Sequence, residues 1–231
     1  MKLKTFFKTI VFFLFFSSSC GKESGVLAYR LGDMIKGGIY RSGAGGEAYH
    51  KANYPDSLAV AYMKETQKSD DYETLFKLIE GPKWKSKTPS QDFDHTLFIH
   101  LRVGDILDQS PFTVAEHLDR HINNHNGVQY VRPLSFYEDI QTKLPPTVTR
   151  VILVTGFHTP EKSTNKSLKY MRKINEFFEE KGYITSDPQI DNPPDEDFLL
   201  MSNAKFFARS GGGYSLLISE MVKKRNGIVY E

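Results

Sequence analysis

The stretch LFIHLRVGD, Leu97 to Asp105, decides the fold. It begins as a run of apolar residues and then spends His100, Arg102 and Asp105 within six positions, beside Gly104. In an extended chain successive side chains point to opposite faces. Phe98, His100 and Arg102 then share one face, and Ile99, Leu101 and Val103 the other. Apolar residues on both faces indicate a strand covered on both sides, as in a parallel sheet. Ligands of such sheets sit beyond the carboxyl ends of the strands, so a polar strand end there has a chemical reading.

Working outward, the pattern repeats. Val148 to Gly156, VTRVILVTG, is continuous, β-branched and apolar. KSLKYMRKINEFFEEKGY is an amphipathic helix, with Leu168, Met171, Ile174, Phe177 and Phe178 on one side. YITSD reads as a short strand, DEDFLLMSNA as a helix of a turn or two, KFFARS as a strand, GGYSLLISEMVKKRNG as a helix and IVYE as a last strand. Strands alternating with helices predict an α/β fold over residues 93–231, a Rossmann-like parallel sheet with helices on both faces.

The preceding part divides in two. Residues 1–21, MKLKTFFKTIVFFLFFSSSCG, place lysines first, then an apolar stretch, then small residues. That is the order of a signal peptide or signal anchor, implying a secretory-pathway or membrane-associated protein; the alternative is a Phe-rich helix that stays in the cytosol. Residues 22–92 predict a reduced, mostly helical and loop region. Lys22 to Gly46 is glycine-rich loop. Pro55-Asp56-Ser57 starts one helix, Ser69 and Asp70 cap a second that ends at Gly81-Pro82, and PKWKSKTPSQD reads as a linker.

Composition narrows the chemistry. The 231 residues are 39% hydrophobic and 13% aromatic, which suits a packed core. Net charge is +2 with acidic and basic residues interspersed, so nucleic acid is not an expected partner. Cys20 is the one cysteine, which excludes an intramolecular disulfide and a cysteine-based zinc site. His117, His121 and His125 read as an exposed helix end, and no metal is expected.

Three strand ends carry unusual residues: HLRVGD, TGFH (Thr155 to His158) and ARSGGGYS (Ala208 to Ser215). Parallel strands bring all three to one rim. At the third, Gly211, Gly212 and Gly213 open the way to backbone amides, and the helix that follows adds positive partial charge, a setting for phosphate. Ser210 and Ser215 add hydroxyls; the alternative is a tight turn with a serine cap. At the first, the Arg102 guanidinium can bind a phosphate through two hydrogen bonds, with Asp105 orienting it or closing the turn. The alternative there is a structural Arg–Asp pair beside a buried, hydrogen-bonded histidine. The acidic cluster Asp195-Glu196-Asp197 suits a helix N-terminus, or a base or ribose hydroxyl.

HLRVGD resembles the His-x-Arg-x-Gly-Asp signature of the fucosyltransferase superfamily, which includes the α1,2-, α1,6- and protein O-fucosyltransferases. DFLLMSNAKFFARSGGGYS is similar to that group's C-terminal motif. The resemblance covers roughly Leu97 to Val229. It implies a GT-B fold, with this domain as the C-terminal donor domain. It also implies inverting, metal-independent transfer of fucose from GDP-fucose to a glycan or protein acceptor, with no cofactor. On that resemblance Arg102 binds the diphosphate and stabilises the departing GDP, and His100 contacts the donor. Asp197 contacts the guanosine. Ser210, Gly211, Gly212, Gly213, Tyr214 and Ser215 hold the β-phosphate, and Gly156 and His158 line the nucleoside pocket. Val103 stands where many members have a second arginine, SGGG replaces a Ser-Ser-Phe-Ser type turn, and the N-terminal lobe is short. Asp105, Asp108 and Glu47 are candidates for the general base. Rival readings are an inactive module that kept the nucleotide-sugar fold, and a different Rossmann enzyme anchoring a phosphorylated ligand on Arg102.

Overall fold

A computed structural model of the chain describes residues 51–66, 68–123, 129–156, 165–190 and 192–231, together with Leu31 and Ile35. The expected leader, Cys20, Glu47, His125 and His158 lie outside these residues. Among the described residues no helix is long and apolar enough to cross a membrane.

Six strands form the sheet: β1 (Thr96–His100), β2 (Arg150–Thr155), β3 (Ile184–Thr185), β4 (Gln189–Ile190), β5 (Phe206–Ala208) and β6 (Ile228–Tyr230). Their order is β3-β2-β1-β5-β6, with β4 also paired to β2. Every pairing is parallel. The chain is therefore an α/β protein with a Rossmann-like parallel sheet. The expected strand YITSD narrows to β3, and an unanticipated short strand, β4, follows it; the two pair with the two ends of β2.

The alternation read from LFIHLRVGD holds through the sheet. Phe98, Ile152, Val154 and Phe207 belong to one buried cluster. Leu97, Ile99, Leu101, Val103, Val151, Leu153, Phe206 and Ala208 belong to a second, on the opposite face. The first face is covered by α1 (Leu58–Glu65), α2 (Tyr72–Glu80), α3 (Pro82–Lys85), α8 (Pro194–Ser202) and α9 (Gly213–Lys224). The second is covered by α4 (Asp105–Asp108), α5 (Val114–Asp119), α6 (Leu134–Lys143) and α7 (Asn165–Glu180). Residues 58–85 thus share one core with α8 and α9. Burying a Leu or Phe side chain is worth about 1.5–3 kcal/mol, so these helices are held to the sheet by Leu58, Tyr62, Leu75, Ile79 and Trp84, each 2% exposed or less.

Several local expectations change. Ser57 caps α1 by accepting from the Val60 N–H, as its sequence suggests. For α2 the cap is Asp71, not Ser69 or Asp70; its carboxylate accepts from the Thr74 N–H, and Asp70 instead takes a positive φ of 54°. PKWK is not linker. Pro82 sits at the first helical position, where its missing N–H costs nothing, and the turn drives Trp84 into the core. On α7, Met171, Ile174, Phe177 and Phe178 are buried, but Leu168 is 40% exposed. Tyr170 takes the inward place instead, because its hydroxyl meets the Tyr137 hydroxyl at 3.0 Å.

Candidate functional site at the β1–β5 switch point

The connections leaving β1 and β5 run to opposite faces. β1 continues into α4, α5 and α6 on the second face; β5 continues into α9 on the first. Helices that diverge from adjacent parallel strands leave a crevice at their carboxyl ends. HLRVGD and ARSGGGYS both end in it.

His100 closes β1 and is 7% exposed. Its Nδ1 lies 2.8 Å from the Ser210 Oγ, just after β5. The Tyr214 ring packs against it at 5.4 Å between centroids. Tyr214 donates to the Pro194 carbonyl at 2.6 Å, tying α9 to the start of α8. Burial first, then the nearby carboxylates of Asp197 and Asp195, push the Tyr214 phenol well above its usual range. It is a neutral donor throughout the physiological range. Asp197 is 6% exposed and accepts from the Asn192 Nδ2 at 2.9 Å. Asp195 serves the N-terminus of α1, accepting from the Leu58 N–H at 2.8 Å.

Arg102 leaves the strand and folds back. Its Nη1 donates to the Asp105 Oδ1 at 2.6 Å and to the Val103 carbonyl at 2.9 Å. The guanidinium carbon stands 5.9 Å from the Tyr130 ring centroid. Gly104, at φ 66° and ψ −126°, supplies the reversal, a conformation that L side chains resist. Its N–H donates to the Ser167 Oγ at 2.9 Å, and Ser167 donates to the Asp108 Oδ2 at 2.7 Å. Asp108 also accepts from the Lys166 and Ser167 N–H groups at 3.0 and 3.1 Å, which satisfies the first turn of α7. Of the three base candidates, Asp108 is committed to that helix end and Asp105 lies at the rim.

The glycines have two different reasons. A Cβ at Gly211 would stand 2.4 Å from the Gln129 carbonyl oxygen and 2.9 Å from the Tyr130 Cα. Gly212 has φ 96°, with the Tyr130 ring beside it. Part of the glycine run therefore admits residues 129–130 rather than a ligand. Ser215 turns inward: it is 0% exposed, and its Oγ accepts from the Ser210 N–H at 3.1 Å. What remains open is the start of α9 itself. Gly213 begins the helix, and among the described residues no side chain caps its first-turn N–H groups.

The structure thus gathers His100, Ser210, Gly211, Gly212, Gly213, Tyr214 and Ser215, with Arg102 and Asp105 joined to them through Tyr130. Gly156 is exposed at the end of β2, whose Thr155 donates to the Leu101 carbonyl at 2.8 Å beside β1. Tyr130 is the residue that sequence reasoning missed. Its role depends on a contact between positions about eighty apart, which no local pattern encodes.

The histidine set also differs from expectation. His117 is not exposed but 3% so, packed edge-on to Phe112 with its Nε2 2.9 Å from the Ser110 Oγ. Its Nδ1 is buried without a hydrogen-bond partner. Burial holds the imidazole below its ordinary value of 6.5, and the Lys166 charge adds to this, against a smaller opposing effect of Glu116. His121 is exposed and receives a hydrogen bond from Gln129. Among the described residues no group of three His, Cys, Asp or Glu side chains could hold a metal ion. Compared with family models, curated proteins and solved structures, the chain matches none.

Proposed function

We propose that the crevice binds a nucleoside diphosphate and that the protein is an inverting, metal-independent glycosyltransferase, with GDP-fucose as the donor the sequence resemblance favours. The observation that carries this reading is the meeting of His100 with Ser210 at the switch point, beside the uncapped start of α9. Helix N-termini at such crevices suit phosphate oxygens. In sugar transfer, an acceptor hydroxyl oxygen bonds to the anomeric carbon. The bond from that carbon to the diphosphate breaks, and its electron pair leaves on phosphate oxygen. Negative charge grows there, so fixed donors aimed at it speed the reaction. Arg102 supplies the permanent cation, oriented by Asp105. Asp105 is also the base candidate left at the rim, to receive the acceptor's proton. The acceptor would be a glycan or protein.

A second reading has its own observation. Arg102 Nη1 is already engaged by Asp105 and Val103, and residues 129–130 occupy one side of the glycine turn. That suits a module that binds a nucleotide-sugar without turning it over. Thermal shift with GDP, UDP, GDP-fucose and NAD, followed by a donor-hydrolysis assay, separates the two. Stabilisation by GDP and GDP-fucose with release of fucose supports the enzyme, and stabilisation without release supports the inactive module. No shift with any of the four rejects both.

A further inference from the structure

A cleft of about 550 Å³ opens beside the Arg102–Asp105 pair. That volume lies in the range of small-ligand sites, roughly 300–1,000 Å³. One wall is apolar, from Ile106, Phe112 and Val131, and the Tyr130 ring adds to it. Gln109, Ser110 and Asn123 supply amide and hydroxyl groups, and Asp105 a carboxylate. Among the described residues no lysine or arginine lines it, and the nearest ammonium, Lys166, is turned onto the Ser110 and Phe112 carbonyls at 2.6 and 3.0 Å. His117 also lines it, with the unpartnered buried Nδ1 described above. Buried polar atoms without partners are few in folded proteins, and each calls for an explanation. Asp105 and Tyr130 belong both to this cleft and to the surroundings of Arg102.

We propose that this cleft is the acceptor subsite and takes a neutral, polyhydroxylated glycan unit. A pyranose ring has an apolar C–H face and a rim of hydroxyls. Phe112 and Tyr130 offer aromatic surface to the first. The amides of Gln109 and Asn123 offer both donors and acceptors to the second. Asp105 stands at the junction, on the side toward Arg102, where a reacting hydroxyl has to lie. As an acceptor subsite the proposal rests on the glycosyltransferase reading, whereas glycan binding in the cleft does not.

Saturation-transfer NMR on the full chain tests it, with the methyl glycosides of galactose, glucose and N-acetylglucosamine as probes and GDP titrated in parallel. At least one glycoside is expected to receive magnetisation. Gln109→Ala and Asn123→Ala, both at exposed positions that folding tolerates, should each weaken it roughly fivefold, the loss of about one hydrogen bond. The GDP response should be unchanged in both variants. Absence of transfer to all three glycosides, or transfer that survives both substitutions, overturns the proposal even where GDP binds. Glycoside binding without any GDP response supports the cleft as a glycan site and overturns the donor reading instead.

Discussion

Gly211 carries the tightest steric requirement at the rim, since any Cβ there meets backbone atoms of Gln129 and Tyr130 that cannot rotate away. Gly211→Ala is expected to destabilise the protein by about 1–3 kcal/mol, the usual cost of overpacking, as read by urea unfolding. An unchanged midpoint would mean that residues 129–130 do not dock on the turn. The glycine run was legible as a special position, but its cause was not. From sequence, three glycines suggest room for a ligand, while two of them answer to Tyr130. At His100 and Arg102 the sequence told more. The period-two alternation put His100 on the face that meets Tyr214, and the Arg–Asp spacing across a glycine anticipated the pairing of Arg102 with Asp105 beyond the strand end. It could not show that the pair closes on itself through Nη1.

At the scale of elements, α7 and α5 make the sharpest predictions. Asp108 takes three hydrogen bonds from Lys166 and Ser167, at the end of α7 where unpaired N–H groups accumulate. Asp108→Ala should therefore cost about 1–2 kcal/mol in chemical unfolding, the range for losing a cap. If Asp108 were the general base instead, the variant would lose turnover and keep its stability. His117 on α5 has its folded pKa depressed below 6.5, so the neutral form is favoured in the folded protein. The stability it protects is complete above 6.5 and is lost as pH falls through that value toward the lower folded one. Thermal unfolding measured from about pH 7.5 to about pH 5 should show this loss. His117→Gln should flatten the profile in that window, and an equally steep profile would remove the assignment. The strongly periodic helix α7 and strand β2 were plain in the sequence. Of the helices between β1 and β2 only the end of α5 at His117 was read, because α4 and α5 span only 4 and 6 residues and α6 is weakly amphipathic. Short helices owe their stability to packing rather than to local propensity.

The whole molecule is arranged so that one strand order creates one crevice. β1 is central, the chain builds outward to β2 and β3, then crosses back to place β5 and β6 on the other side. The alternation of strands and helices predicted the parallel sheet, and parallel strands alone require that HLRVGD and ARSGGGYS share a rim. Sequence could not supply the strand order, which depends on crossovers rather than on composition. Nor could it show that residues 58–85 cover the sheet, since their apolar faces fit any partner of suitable shape. Replacing Phe98 by Ala at the centre of the first cluster should cost about 3–5 kcal/mol and loosen both β1 and the helices packed on it.

The claim that most of this depends on is that the crevice holds a nucleoside diphosphate through Arg102. Titration calorimetry of GDP into the full chain and into Arg102→Ala tests it most directly. Saturable binding is predicted for the unaltered protein, weakened about ten- to a hundredfold in Arg102→Ala, as for loss of a charge-assisted contact. Gln109→Ala, in the neighbouring cleft, should bind GDP as the unaltered protein does. Equal affinity in Arg102→Ala, or no binding heat in the unaltered chain, would contradict the account.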